Sequence, residues 1–183
     1  GGTTTILDMG TVRHQDAVFE AMAESGIRGL SGKATMDGGL GVPDGLRETT
    51  RASLDETEAL AGRWHGRGRL GYAVAPRFIL SSTHALMEGA ADLCRRRALA
   101  LHTHASEHGD ECAAVRERFG CDNVEALARF GMLGRGTVLA HCVHVTDTER
   151  ALLARTGAAV AHCPSANLKL GSGVADAWYM RQK

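Results

Sequence analysis

Short apolar runs alternate along this chain with amphipathic stretches whose apolar positions recur every third or fourth residue. The spacing predicts strands at Thr3–Met9, Ile27–Lys33, Leu70–Ala75, Ala98–Thr103, Thr137–Val143 and Ala158–Cys163. Helices are predicted between them. His14–Ser25 carries Val18, Phe19 and Met22 on one face and meets a stop at Gly26. Leu46–Arg63 is a long helix with a polar face. Thr83–Arg97 places Leu86, Ala90 and Leu93 on one stripe. Asp110–Gly131 reads as two helical pieces broken near Gly120. Thr146–Arg155 opens on a capping box, Thr146 with Glu149 three residues on, and stops at Gly157.

Strand and helix in strict alternation imply a parallel sheet with helices packed outside it, an α/β protein. The repeat is that of a (β/α)8 barrel, which needs roughly 250 residues. With 183 residues and six β-α units, the chain is expected to be a partial barrel over residues 1–183, lacking the strand-one and strand-eight regions. By itself such a piece is expected to be inactive, exposing Thr3–Met9 and Ala158–Cys163 as edge strands. The Gly-rich segments Asp37–Gly45 and Asn167–Gly173 read as loops at strand ends.

Three of the predicted strands finish on histidine. Leu101–Glu107 (Leu-His-Thr-His-Ala-Ser-Glu) ends an apolar run with His102, His104 and a nearby carboxylate, and two later strands end at His141 and His162. A lone strand-end histidine is commonly a structural residue, but three in succession are hard to explain by packing. At the C-terminal end of a barrel strand, His104 is placed to ligate a divalent metal and Glu107 to move a proton on bound water. Strand alternation would turn Cys142 and Cys163 away from the site, so a mixed Cys/His zinc site is disfavoured and the cysteines read as core.

Composition narrows the partners. Twenty-one basic and twenty-one acidic side chains cancel, which removes the electrostatic case for nucleic acid or a membrane surface. No apolar run approaches the ~20 residues of a membrane span. Five cysteines without a Cys-x-x-Cys pair suggest free thiols in a reducing compartment, hence a cytoplasmic location.

At these residues the sequence resembles the amidohydrolase superfamily, in its deaminase and chlorohydrolase branch. That branch acts on guanine, adenosine derivatives and triazines. The matching segments are Gly1–Met9, Ala75–Ser82, His102–Glu107, Leu139–Val145 and Ala161–Gly173. The resemblance implies that His104 is a metal ligand and that Glu107 carries a proton from the metal-bound water to the leaving group. It implies that His141 orients the attacking water, and that Arg77 and Phe78 contact a purine. Asn167 is implied as a substrate contact, while His102 and His162 belong to segments near the site without an assigned role. One divalent metal is implied, zinc first and iron second. The substrate would be a small nitrogen heterocycle, and a homodimer at natural length is compatible with the family.

The departures from the family are specific. The paired histidines of strand one and the aspartate of strand eight have no counterpart here, and alanine stands at Ala166 where serine is usual. Lysines occur only at Lys33, Lys169 and Lys183, so no carboxylated lysine bridges two metals after strand four. The spacing His-x-x-Glu, with no Pro-Cys-x-x-Cys, excludes the nucleic-acid deaminase fold. Gly171-Ser172-Gly173 beside Lys169 could cradle a phosphate, though a plain turn explains it as well. Pro76-Arg77-Phe78 points to guanine-type substrates, whereas Asn167-Leu-Lys-Leu points to adenosine derivatives. Triazine dechlorination and a non-catalytic barrel remnant are the remaining alternatives.

Overall fold

The computed structural model describes residues 2–39 and 42–181. Leu40 and Gly41 of the predicted Gly-rich loop lie outside the described residues, as do Gly1, which opens a matching segment, and Lys183. The chain divides into two compact units, Gly1–Arg77 with Ser81–Leu101, and Phe78–Leu80 with His102–Lys183.

The first unit holds β1 (Thr5–Met9), α1 (Gln15–Ser25), β2 (Arg28–Gly32), β3 (Ala34–Thr35), α2 (Thr50–Trp64), β4 (Leu70–Pro76) and α3 (His84–Arg97). It ends at the start of β5 (Ala100–Ala105). Strand order is β1-β2-β4-β5, every described pair is parallel, and β3 pairs with β4. The registers Leu7↔Leu30 and Val74↔Leu101 set apolar residues side by side. Helices α1, α2 and α3 cover one face of this sheet. Their apolar stripes meet it through Phe19, Met22, Leu60, Trp64, Tyr72, Val74 and Leu93. Phe19 is the centre of that cluster, stacked on Trp64 at 5.4 Å and on Tyr72 at 5.7 Å between ring centroids.

Charge enters this unit at one buried point. Lys33 is fully buried, and its ammonium pairs with Glu48 at 2.8 Å and Glu56 at 2.9 Å while donating to the Val12 carbonyl. A buried ammonium needs such partners, because leaving it unpaired is far costlier than the pair is stabilising. Next to it, Gly32 lies so close to the neighbouring strand that a Cβ would stand 1.7 Å from the Ala73 carbonyl oxygen. Only glycine fits there.

The second unit continues β5 and adds α4 (Gly109–Phe119), α5 (Asn123–Arg129), β6 (Thr137–His141), α6 (Asp147–Thr156), β7 (Ala159–Ala161), α7 (Pro164–Leu170) and α8 (Ala177–Arg181). Strand order is β5-β6-β7, with the parallel register Leu139↔Val160. Val115, Val124, Leu127 and Leu139 are buried completely. Three helices open on reciprocal capping boxes, including the expected Thr146–Glu149 pair of α6. The expected break near Gly120 is real: Gly120 closes α4 in the left-handed conformation.

Four expectations need correction. The fourth predicted strand runs two residues later, Ala100–Ala105, because Ala98 closes α3 in the left-handed conformation and the Leu99 N–H still bonds the Cys94 carbonyl at 3.1 Å. The short strand Ala34–Thr35 was not anticipated. The long second helix starts at Thr50, where the Thr49 hydroxyl caps it, and not at Leu46. Asn167–Gly173 is not wholly a loop. Pro164 opens α7, proline being suited to a first helical turn, and Asn167 lies within that helix. Leu168, Leu170, Val174 and Trp178 of this last region are exposed. Among the described residues no helix is long and apolar enough to cross a membrane.

Because Phe19 contacts two aromatic rings at full burial, Phe19→Ala should lower stability by about 3–5 kcal/mol, the usual scale for truncating a buried aromatic. Urea denaturation followed by tryptophan fluorescence measures this. A change below about 1 kcal/mol would show that the cluster is not the packing centre of its unit.

Candidate active site

The second unit brings His104, Glu107, His141 and Asn167 together. His102 and His104 are two apart on β5 and therefore face the same way, with ring centroids 6.3 Å apart. His102 is buried and His104 half-buried. The backbone of Phe78 pairs in parallel with His104, which seats Phe78 beside this strand. The His104 ring stacks on that of His141, the last residue of β6, at 5.3 Å. Glu107 sits beyond the end of β5, half-buried, with Oε1 3.5 Å from His141 Nδ1.

The backbone at this point is unusual. Ser106, His141 and Cys142 have φ of 52°, 74° and 47°, and they make up most of the non-glycine residues with positive φ among the described residues. The left-handed region costs an ordinary side chain about 1–2 kcal/mol, so something must hold it. Main-chain bonds do. Cys142 N–H donates to the Ala105 carbonyl at 3.0 Å, and Val143 and His144 N–H both donate to the Ser106 carbonyl, at 2.9 and 3.0 Å. The ends of β5 and β6 are stapled together where His104, Glu107 and His141 emerge.

Strand alternation therefore stops at His141, and the expected contrast between an inward histidine and an outward cysteine does not apply. Both His141 and Cys142 are buried. Cys142 is core as expected, and burial pushes its thiol up to about 12. Cys163 is only partly buried.

Asn167, expected among the substrate contacts, lies beside His141. It is completely buried, and its Oδ1 lies 2.7 Å from His141 Nδ1. With that oxygen as acceptor, His141 carries its proton on Nδ1 and keeps the Nε2 lone pair for another partner. The Nδ2 donor of Asn167 is buried without a hydrogen-bond partner among the described residues, which leaves it available to an acceptor. His144, without an assigned role in the sequence, bonds the Ser172 carbonyl through Nε2 at 2.7 Å and so ties the β6 end to the turn after α7.

His162 is not brought to this group. It is exposed and lines a cavity of about 470 Å³ with Arg150, Val160 and Met180. The β7 strand is too short, ending at Ala161, to carry His162 as a strand-end residue. Arg77 belongs to the first unit, where it is exposed and its N–H donates to the Thr35 carbonyl at 3.1 Å.

A structural or catalytic zinc takes three or four protein donors. Among the described residues no group of three His, Cys, Asp or Glu side chains is placed to hold a metal ion. His104 is a donor of the right chemistry, but the described residues do not complete a coordination shell around it.

Sequence and structure comparisons extend this picture. The chain matches the amidohydrolase family over residues 1–182. It is 37% identical to the guanine deaminase of Escherichia coli, over the whole of this chain and 43% of that protein. It is 36% identical to a 5-methylthioadenosine/S-adenosylhomocysteine deaminase of Symbiobacterium thermophilum, covering 41% of that protein. The chain thus spans well under half the length of these relatives. The solved E. coli guanine deaminase superposes with a TM-score of 0.93 over 98% of this chain and 43% of its own. A guanine deaminase from C. acetobutylicum, solved with guanine in its active site, gives 0.92 at 31% identity, over 99% of this chain and 44% of its own. The fold class is accordingly that of a partial (β/α)8 barrel.

The thiols supply a check on the stapled turn. At pH 8 a thiol titrating near 12 is ionised in about one molecule in 10⁴, and only the thiolate reacts quickly. Native protein treated with a maleimide should leave Cys142 unlabelled by mass spectrometry until denaturant is added. Rapid native labelling at Cys142 would mean that the turn opens freely.

Proposed function

Since the chain belongs to the amidohydrolase family, we propose that this protein is a metal-dependent hydrolytic deaminase of amino-substituted purines, with guanine-type rings preferred. One observation carries the proposal. Glu107, His104 and His141 converge, with a carboxylate oxygen 3.5 Å from an imidazole nitrogen and the two imidazole rings 5.3 Å apart. That is a proton carrier beside a donor suited to a metal and a second ring able to bond a water.

The reaction adds water to the ring carbon that bears the exocyclic amine and expels ammonia. Zinc, with His104 among its ligands, would lower the pKa of a bound water to near 7. Glu107 takes a proton from the attacking water and returns it to the departing nitrogen, converting a poor leaving group into ammonia. Proton transfer of this kind contributes about 10²–10⁴-fold. His141, held by Asn167, keeps its Nε2 lone pair free to accept a hydrogen bond and so orient the water. Arg77 and Phe78 would contact the purine: the arginine offers fixed donors to a ring carbonyl and ring nitrogen, and the phenylalanine a face for stacking.

A second reading, deamination of adenosine derivatives, is supported by the 36% identity to the 5-methylthioadenosine/S-adenosylhomocysteine deaminase. An adenine ring places an amine donor where guanine has its carbonyl, so Arg77 has nothing to hold there. Zinc as the metal is supported by an atrazine chlorohydrolase from Arthrobacter aurescens solved with zinc, 25% identical to this chain with a TM-score of 0.86.

Ammonia release from the natural-length, metal-loaded protein, screened over guanine, adenosine derivatives, pterins and chlorotriazines, tests the proposal directly. Glu107→Gln should retain metal and lose about 10²-fold or more in kcat, whereas His104→Ala should lose the metal. Parent-like turnover in Glu107→Gln would remove the assigned role.

Arg77 separates the two substrate readings. Arg77→Met should depress kcat/KM selectively for oxo-purines, by up to about 10⁴-fold where the site excludes water. Equal losses on oxo-purine and adenosine-type substrates would make Arg77 a structural residue.

A further inference from the structure

The three capping boxes of the second unit are not alike. Glu125 accepts the N–H of its own cap, Asp122, at 3.3 Å. Glu149 accepts from its cap, Thr146, at 2.9 Å and also from Val124 N–H at 2.6 Å. Glu111 makes only a long contact with its cap, the His108 N–H at 3.4 Å. Its shorter bonds run upstream, to Glu107 N–H at 2.8 Å and Ser106 N–H at 3.2 Å. A carboxylate that served only its helix would bond its cap best.

The left-handed Ser106 explains the reach. Its φ of 52° turns three successive N–H groups toward one point, a nest of the kind that binds anions, and the anion here is the Glu111 carboxylate. Asn123 Nδ2 donates to Glu111 Oε1 at 2.5 Å and steadies it from the next helix. The peptide unit joining Ser106 to Glu107 is thereby pinned through both of its polar groups. Its N–H is held by Glu111, and its carbonyl by the N–H groups of Val143 and His144, just past His141.

We infer that Glu111 is a positioning residue that fixes the direction in which Glu107 leaves the backbone, and so its distance to His141. The inference rests on the reading of Glu107 as the proton carrier. A misplacement of about 1 Å in a proton carrier lowers turnover by up to about 10²-fold while leaving ground-state binding intact. A plain helix cap would instead change stability and leave the kcat of folded molecules alone.

The test uses the natural-length, metal-loaded protein at a temperature where circular dichroism shows each variant fully folded. Glu111→Ala should lower kcat by about 10- to 100-fold with KM within about threefold of the parent. Glu111→Gln, which keeps one acceptor oxygen, should fall between. Adding Glu111→Ala to Glu107→Gln should cost nothing further, because the residue acts only through Glu107. An unchanged kcat, or losses that multiply in the double variant, would overturn the inference. A crystal structure of Glu111→Ala gives a readout independent of turnover: Glu107 Oε1 should move beyond its 3.5 Å from His141 Nδ1, and retention of that distance would also overturn it. If Glu107→Gln retained parent turnover, the deaminase reading of Glu107 would be the failure, and that crystal structure would decide Glu111 by itself.

Discussion

The stapling of two strand ends by main-chain hydrogen bonds is the constraint on which the candidate site depends. Parallel strands deliver side chains to one end of a sheet, but they do not by themselves fix the rotation of the last residue. At the ends of β5 and β6 that rotation is set by the Ala105 and Ser106 carbonyls, which accept from Cys142, Val143 and His144. These bonds hold Ser106, His141 and Cys142 in a backbone region that ordinary residues avoid. Residual strain of this kind persists only where the surroundings over-determine it, and the residues it aims are those whose chemistry suits proton transfer.

Carboxylates supply the next layer of order. Asp37 accepts from Thr50, Thr83 Oγ1 and the Thr83 N–H, joining the starts of α2 and α3. In the second unit Glu111 and Glu149 do the same for the starts of α4, α5 and α6. Glu149 is buried almost completely, and burial raises its carboxyl above the ordinary carboxylate range even though backbone N–H groups oppose the shift. Each of these acids satisfies amides that a helix start leaves unpaired. Within each unit, helix N-termini are therefore tied together by acidic side chains. Apolar packing lies behind them and supplies most of the stability.

The wider family places this arrangement in context. Relatives at 36–37% identity include a guanine deaminase and a 5-methylthioadenosine/S-adenosylhomocysteine deaminase.

Much of the fold was legible in the order of residues. Alternating apolar runs and amphipathic stretches fix a parallel α/β arrangement, because a run buried on both faces and a helix with one apolar stripe have no other economical way to pack. The Thr146–Glu149 cap and the Gly120 stop act over a few residues, so local sequence was enough to place them. The placement of His104 and Glu107 at one strand end was likewise legible, since an apolar run followed by polar residues is a local signal. What the sequence left open depends on contacts between distant residues. The start of β5 is set by the left-handed Ala98 that closes α3, a conformation an alanine does not announce in the sequence. The position of Asn167 is decided by a helix that Pro164 begins and by a bond to His141 across 26 residues. The exclusion of His162 follows from how soon β7 ends. Tertiary structure alone could decide that Glu111 reaches backward past its own helix cap, because the left-handed turn at Ser106 that exposes those amides is held by Val143 and His144, just beyond the end of β6.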